Sequence, residues 1–353
     1  MPVKRSARAG GGTDQNRPIG LKDLARRLKL SPTTLSLVLN ESPAAASIPQ
    51  ATKNRIFAAA ETFHYRPSFL ARSLRSRRTY TVGVLVPELS EGYSSLILSG
   101  IEDCLIQEGY LYLVTSHRNN PKLRSQLFRT FHDRCVEGVV AVDTPCEQAL
   151  PLPAVSVSVH DRTPGVTRIV LNHETAAGLG LRHLADLGHR RIAFTRGQDF
   201  SSDSRVRWEA IRNAARRMGL TTPPSLALQL DGDSPSPEAG YRAARRLLAS
   251  KEVFTALFAF NDVSAIGAIR AFREAGRRVP EDISVVGFDD VYNAAFHIPA
   301  LTTIRQPLQR MGTLAAETLI RRIVHPEIPA EKAIQVEPLL VVRESTAIVA
   351  SSR

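Results

Sequence analysis

Between residues 79 and 353, short apolar runs rich in β-branched side chains recur at 82–86, 111–115, 138–142, 155–159, 168–171, 192–195, 256–260 and 283–288. Runs of this kind, bounded by polar turns, read as strands covered on both faces. Amphipathic stretches lie between several of them. In 93–107, for example, Ile97, Ile101 and Cys104 share one face of a helix that links the first two strands. Alternating strand and helix predicts an α/β fold built on doubly wound parallel sheets, whose ligands sit at the carboxyl ends of the strands.

Upstream the hydrophobic period becomes helical. Leu21, Leu24, Ala25 and Leu28 recur at three- and four-residue spacing, with Lys22, Arg26, Arg27 and Lys29 on the other face. Ser31 is a good N-cap, Pro32 suits the first helical position, and Leu35, Val38 and Leu39 supply a second apolar stripe. Two helices joined this tightly predict a helix-turn-helix that offers its second helix to the major groove. A third helix over 49–63 carries Ile56, Ala59, Ala60 and Phe63 inward. Residues 65–78 then read as a turn, a helix of two turns and a linker before a strand beginning at Tyr80. Arg72, Arg75, Arg77 and Arg78 crowd that short helix, which should fold only when phosphates neutralise them.

The charge distribution sharpens this picture. Residues 1–78 hold 15 Lys and Arg against Asp14, Asp23, Glu41 and Glu61, a balance of +11, whereas the other 275 residues hold 31 against 30. A polyanion is therefore the expected partner of the N-terminal end alone. Residues 1–18, with Gly10-Gly11-Gly12, read as a basic disordered tail. Cys104, Cys135 and Cys146 form no CxxC pair, so neither disulfide nor zinc is expected from them. With no long apolar run and no apolar leader, the expectation is a cytoplasmic protein without a membrane segment. Gly178-Leu179-Gly180 follows a strand, but the third glycine of a dinucleotide loop is replaced by His183, and no GxxxxGK[ST] loop exists. An enzyme using a nucleotide cofactor is thus disfavoured. An exported binding protein would not need residues 19–78, and a sensor that had become a structural dimeriser would bind no ligand.

The run Leu21-Lys22-Asp23-Leu24-Ala25, Ser31-Pro32-Thr33-Thr34-Leu35-Ser36, Val38-Leu39-Asn40, then Tyr65-Arg66-Pro67 and Ala71-Arg72-Ser73-Leu74-Arg75, resembles the headpiece and hinge of the lactose-repressor (LacI/GalR) family. Later segments do so in order: Leu187-Gly188-His189-Arg190-Arg191, Phe260-Asn261-Asp262, Val279-Pro280-Glu281-Asp282 through Gly287-Phe288-Asp289-Asp290, Pro299-Ala300-Leu301-Thr302-Thr303 and Arg343-Glu344-Ser345-Thr346. The resemblance implies a helix-turn-helix headpiece over 19–66, a hinge helix and linker over 67–78, and a bilobed sensor and dimerisation domain like periplasmic binding proteins over 79–353. The chain should cross between lobes near 172, 304 and 337. It further implies a transcriptional regulator, not an enzyme: a homodimer on near-palindromic operator DNA, without cofactor, controlled by a small-molecule effector such as a sugar.

Site residues carry over position by position. The resemblance puts Pro32, Thr33 and Leu37 at the bases and Lys22, Ser31, Thr34 and Asn40 at phosphates. Ser68, Ala71, Leu74 and Arg75 fall on the hinge, with Leu74 as a wedge in the minor groove. Leucine at 37 makes no bidentate contact to guanine, so the half-site should differ from those of arginine-bearing relatives. For the effector, the resemblance implies Tyr93, Arg205, Asn261, Asp289 and Gln306. Ser234-Pro235 replace the family's ligand-stacking aromatic, Leu171 replaces an acid, and Trp208 reads as core. The loop between Asn40 and Thr52 is about three residues longer than the family's usual spacing.

Overall fold

The computed structural model describes residues 19–66, 73, 76, 78–89, 92–146, 151–232, 235–250, 252–329 and 331–349. The chain divides into two compact units, residues 1–78 and 79–353.

In the first unit, helices α1 (Leu21–Leu28), α2 (Pro32–Leu39) and α3 (Gln50–Thr62) enclose a small core of Leu24, Ala25, Leu35, Val38, Ala45 and Ile56. Ser31 caps α2, its Oγ accepting from the Thr34 amide at 3.0 Å. The longer loop forms a 3-10 turn, Pro43–Ser47, and buries Ala45, so the additional residues add to the core. Phe63 departs from expectation. It is the C-cap of α3, stays 37% exposed, and stacks under the Arg27 guanidinium 4.7 Å from its ring centre, because the helix stops before it can turn inward.

The second unit contains two six-stranded sheets. The first has the order β11-β5-β4-β3-β1-β2, with β1 (Thr81–Val86), β2 (Leu111–Ser116), β3 (Gly138–Val142), β4 (Ala154–Val157), β5 (Val166–Leu171) and β11 (Ala333–Val336), all parallel. The second has the order β12-β10-β9-β8-β6-β7, with β6 (Ile192–Arg196), β7 (Ala227–Gln229), β8 (Ala256–Phe258), β9 (Ser284–Asp289), β10 (Thr302–Arg305) and β12 (Leu339–Val341). Only β12 runs antiparallel among these. Four short strands, β7, β10, β11 and β12, were not expected from the sequence.

Helices α4 (Gly92–Gln107) and α5 (Pro121–Asp133) belong to the first lobe. Helices α6 (His173–Asp186), α7 (Ser202–Arg217), α8 (Pro237–Ala249), α9 (Asp262–Glu274) and α10 (Tyr292–Phe296) belong to the second, and α11 (Leu308–Val324) returns to pack on the first against α4. The chain passes between lobes at Asn172, at Gln306-Pro307 and at Glu337-Pro338. The middle passage lies beyond Ile304, which is buried within β10. Asn172 joins two passages, its Nδ2 donating to Glu337 at 3.0 Å. Gly178-Leu179-Gly180 lies inside α6, where a side chain on Gly180 would meet the Phe258 ring at 2.6 Å; these glycines pack a helix and make no phosphate loop.

Candidate functional site

The carboxyl ends of β1 and β3 in one lobe and of β6, β8 and β9 in the other face a common chamber of about 60 Å³. Pro87, Phe200, Pro235, Phe260, Val263 and Val291 form its apolar wall, while Tyr93, Asp143, Asp203, Arg207, Asn261 and Asp289 supply its polar groups.

Arg207 is its centre. The side chain is 4% exposed, lies between the rings of Phe260 and Phe288 (4.4 and 3.7 Å to the ring centres), and donates to the Phe260 carbonyl at 2.5 Å. A guanidinium without water must be paired, and Asp203 at 3.0 Å and Asp289 at 4.0 Å pair it. Burial favours a protonated Asp203, but the His173 and His160 rings, both within hydrogen-bond reach of its Oδ1, and Arg207 hold its carboxyl well below the usual range. Asp289 differs. Burial pushes its carboxyl up to about 7, and Arg207 and the Gln306 amide, donating at 2.6 Å, only partly offset this.

Backbone geometry aims Asp289. It ends β9 with φ +107°, and Asp290 follows at φ +58°, a left-handed pair that L-residues adopt only when their surroundings impose it. The surroundings are visible. Arg305 and Arg343 clamp the Asp290 carboxylate at 2.6 Å each, and Asp262 accepts the Val291 amide at 2.9 Å and the Thr303 hydroxyl at 2.5 Å. Gly287 makes room for that brace, since a Cβ there would stand 2.2 Å from Asp262 Oδ1.

The first lobe contributes Tyr93, whose hydroxyl donates to Ser158 Oγ at 2.5 Å, and Asp143. Asp143 keeps part of its surface open to the chamber, yet its carboxyl is enclosed, and burial followed by the nearby Asp203 charge raises it well above the usual range. Its Oδ1 accepts the Ser202 amide at 3.2 Å, and Ser202 Oγ donates to the Ser158 carbonyl. The amino end of α7 therefore ties the second lobe to the first, with His160 to Asp203 at 2.7 Å as a third tie.

Four of the five effector residues expected from sequence converge here, in different ways. Tyr93, Asn261 and Asp289 line the chamber; Gln306 stands behind Asp289; Asn261 spends its Oδ1 capping α9 through the Ser264 amide at 2.9 Å. Arg205 is a correction. Its side chain is 70% exposed, 3.8 Å from Glu209, and lines a separate outer depression with His160, Trp208 and Arg212. Two residues along a helix point to nearly opposite sides, so with Arg207 inside, Arg205 faces out. The sequence reading missed Arg207, Asp143, Asp203 and the aromatic rings of Phe200 and Phe260. Trp208 is half-buried, edge-on to Phe194 at 5.6 Å.

On the first unit, Lys22 is exposed in the first turn of α1, Ser31, Pro32 and Thr33 are exposed at the start of α2, and Thr34 is half-exposed, its hydroxyl 2.8 Å from Ser31 Oγ. Leu37 is half-buried against the small core, and Asn40 donates to the Ser36 carbonyl at 2.7 Å, closing α2. Ser68, Ala71, Leu74 and Arg75 lie outside the described residues.

Residues 20–68 match the family model described as bacterial regulatory proteins, lacI family, and residues 181–346 that of a periplasmic binding protein-like domain. The chain is 32% identical over 334 residues to the HTH-type transcriptional repressor PurR of Haemophilus influenzae (strain PittEE), covering 92% of this chain and 98% of that one. Identity to PurR of Klebsiella pneumoniae (strain 342) is also 32%, over 93% and 96%. Among solved structures, a lac repressor dimer bound to operator and the anti-inducer ONPF aligns with TM-score 0.83 at 28% identity, over 94% of this chain and 100% of that one. A complex of the transcriptional regulator CelR with cellobiose aligns with TM-score 0.69 at 27% identity, over 93% and 99%.

Proposed function

Because this chain belongs to the lacI family of bacterial regulatory proteins, and is a DNA-binding transcriptional repressor under effector control rather than an enzyme, we propose that its effector binds between Arg207, Asn261 and Asp289 of one lobe and Asp143 and Tyr93 of the other. The observation that carries this reading is the buried Arg207–Asp289 pair at the strand ends, opposite an enclosed acid on the facing lobe. Carboxyls accept hydroxyl protons, the guanidinium and the Asn261 side-chain nitrogen donate, and Phe200 and Phe260 give an apolar face. That combination suits a small polyhydroxylated molecule such as a sugar. Relatives of the same architecture carry cellobiose and, in an Enterococcus faecium regulator, ribose.

The chamber of about 60 Å³ is far smaller than the roughly 300–1,000 Å³ of pockets that enclose drug-sized ligands, so a larger ligand parts the lobes. The ties at Ser202 and His160 must then stretch or exchange, which is how occupancy changes lobe geometry. Two chains form a homodimer in the cytoplasm on a near-palindromic operator, with protein symmetry matching DNA symmetry. Pro32, Thr33 and Leu37 read bases; Lys22, Ser31, Thr34 and Asn40 hold phosphates; Ser68, Ala71, Leu74 and Arg75 enter the minor groove from paired hinges. Effector and operator alter each other's affinity reciprocally, by on the order of 1–3 kcal/mol. A thermal-shift screen of metabolites tests the site, because ligand at 100 times its Kd stabilises the fold by about 2.7 kcal/mol. A hit that shifts wild type and leaves Asp289→Ala unshifted supports it; equal shifts place the ligand elsewhere.

A further inference from the structure

His160 and His173 both direct Nε2 at one carboxylate oxygen, Asp203 Oδ1, at 2.7 and 3.2 Å, and the three donor atoms lie within 4.8 Å of one another. They come from both lobes. His160 follows β4 in the first, whereas His173 opens α6 and Asp203 lies in the first turn of α7 in the second. Two imidazoles and a carboxylate are the donor set that borderline divalent transition cations take, with zinc the commonest in a four-coordinate site.

Arg207 does not compete for the same atom: it holds Asp203 Oδ2 at 3.0 Å, leaving Oδ1 to the histidines. Ligating carboxylates commonly carry such an outer partner.

The required movement is small. Zinc–nitrogen bonds of about 2.05 Å in a tetrahedron separate ligand atoms by about 3.4 Å. Two of the present separations, 2.7 and 3.2 Å, fall short of that by less than 1 Å, and the third, within 4.8 Å, exceeds it by no more than about 1.4 Å. The His160 side chain is 14% exposed and lines the outer depression, which gives an ion a route in.

We propose that His160, His173 and Asp203 form a binding site for a divalent transition cation of the zinc class, which ties the two lobes together across α7. Bound there, the ion replaces the His160–Asp203 hydrogen bond with coordination and resists the parting of the lobes that a large effector requires.

The test uses full-length protein stripped with EDTA and dialysed. Zinc is titrated in competition with a chromophoric indicator, and cobalt(II) is followed by its visible d–d absorption. One ion per chain is expected, with a four-coordinate cobalt spectrum. Loss of a ligand in His160→Gln should weaken binding at least about 100-fold, beyond the 10–100-fold typical of outer-sphere changes. His325→Gln, an exposed histidine beside Glu327, should change nothing. Circular dichroism checks the fold of His160→Gln. If that variant misfolds, the wild-type stoichiometry and cobalt spectrum decide by themselves. Absence of stoichiometric binding, a six-coordinate cobalt spectrum, or equal affinity in wild type and a folded His160→Gln overturns the proposal. None of these outcomes bears on effector binding, which the Asp289→Ala comparison tests separately.

Discussion

Replacing Arg207 by leucine should unsettle the sensor far more than removing Arg205 two residues away. Arg207 is 4% exposed and faces Asp203 at 3.0 Å and Asp289 at 4.0 Å. Truncating one partner of a buried pair leaves the other charge uncompensated and costs about 3–5 kcal/mol. At about 2–4 °C per kcal/mol for a unit near this size, the melting temperature should fall by about 6–20 °C. Arg205, 70% exposed and 3.8 Å from Glu209, should move stability by no more than about 0.5 kcal/mol when changed to alanine. The double variant Arg207→Leu/Asp203→Asn removes both charges and should recover part of the loss, a coupling of about 1 kcal/mol or more. Calorimetric or dichroism melts of wild type, Arg205→Ala, Arg207→Leu, Asp203→Asn and the double variant provide the assay. Equal losses in Arg205→Ala and Arg207→Leu, or a double variant that loses the sum of its singles, would refute the assignment of Arg207 to the centre.

Three further outcomes are expected. Asp289 titrates near 7 in the fold and near 3.9 when unfolded, so between these pH values the folded state binds the extra proton and wild-type stability falls as pH rises. Relative to wild type, Asp289→Asn should gain stability from about pH 4 to about 7 and then level off; urea titrations across pH that give a flat difference contradict this. Operator affinity should fall steeply with salt while a fragment starting at Tyr80 binds no DNA, given the charge of +11 on residues 1–78; retained DNA binding by that fragment would move the interface elsewhere. Leu74→Ala should weaken operator binding more than about tenfold and leave non-specific duplex binding nearly unchanged; equal losses on operator and scrambled DNA in gel shifts exclude a wedge.

Much of the architecture was legible because buried parallel strands advertise themselves as β-branched runs, and because Ser31-Pro32 states where a helix begins. The missed strands have physical reasons. β7 and β11 are three or four residues long, lie at sheet edges and carry polar positions such as Gln229 and Gln335, so no apolar run marks them; β12 sits in the short apolar run Leu339-Leu340-Val341-Val342 and β10 in Thr302-Thr303-Ile304-Arg305, both too short to stand out as strands. The choice of Arg205 over Arg207 was a phase error that the sequence could have prevented. Asp203, Arg207, Ala210, Ile211 and Ala214 share one stripe of α7, all buried, and Arg205 lies off it. Asp143 follows β3 directly and His160 lies just beyond the end of β4, and the rule that ligands gather at strand carboxyl ends nominates both. The pairing of His160 with Asp203 was different in kind: it joins residues 43 apart on separate lobes, and no local period encodes it.

On the proposed mechanism, one chamber both holds the effector and sets operator affinity. Operator Kd measured with and without a ligand from the thermal-shift screen, at one fixed salt concentration, in wild type and Asp289→Ala, tests it most directly. The prediction is a change of about 5–150-fold in wild type, matched by an equal change in ligand affinity when operator is present, with both effects lost in Asp289→Ala. A ligand that binds both proteins equally, or one that binds wild type in the chamber and leaves operator Kd unchanged, would contradict it.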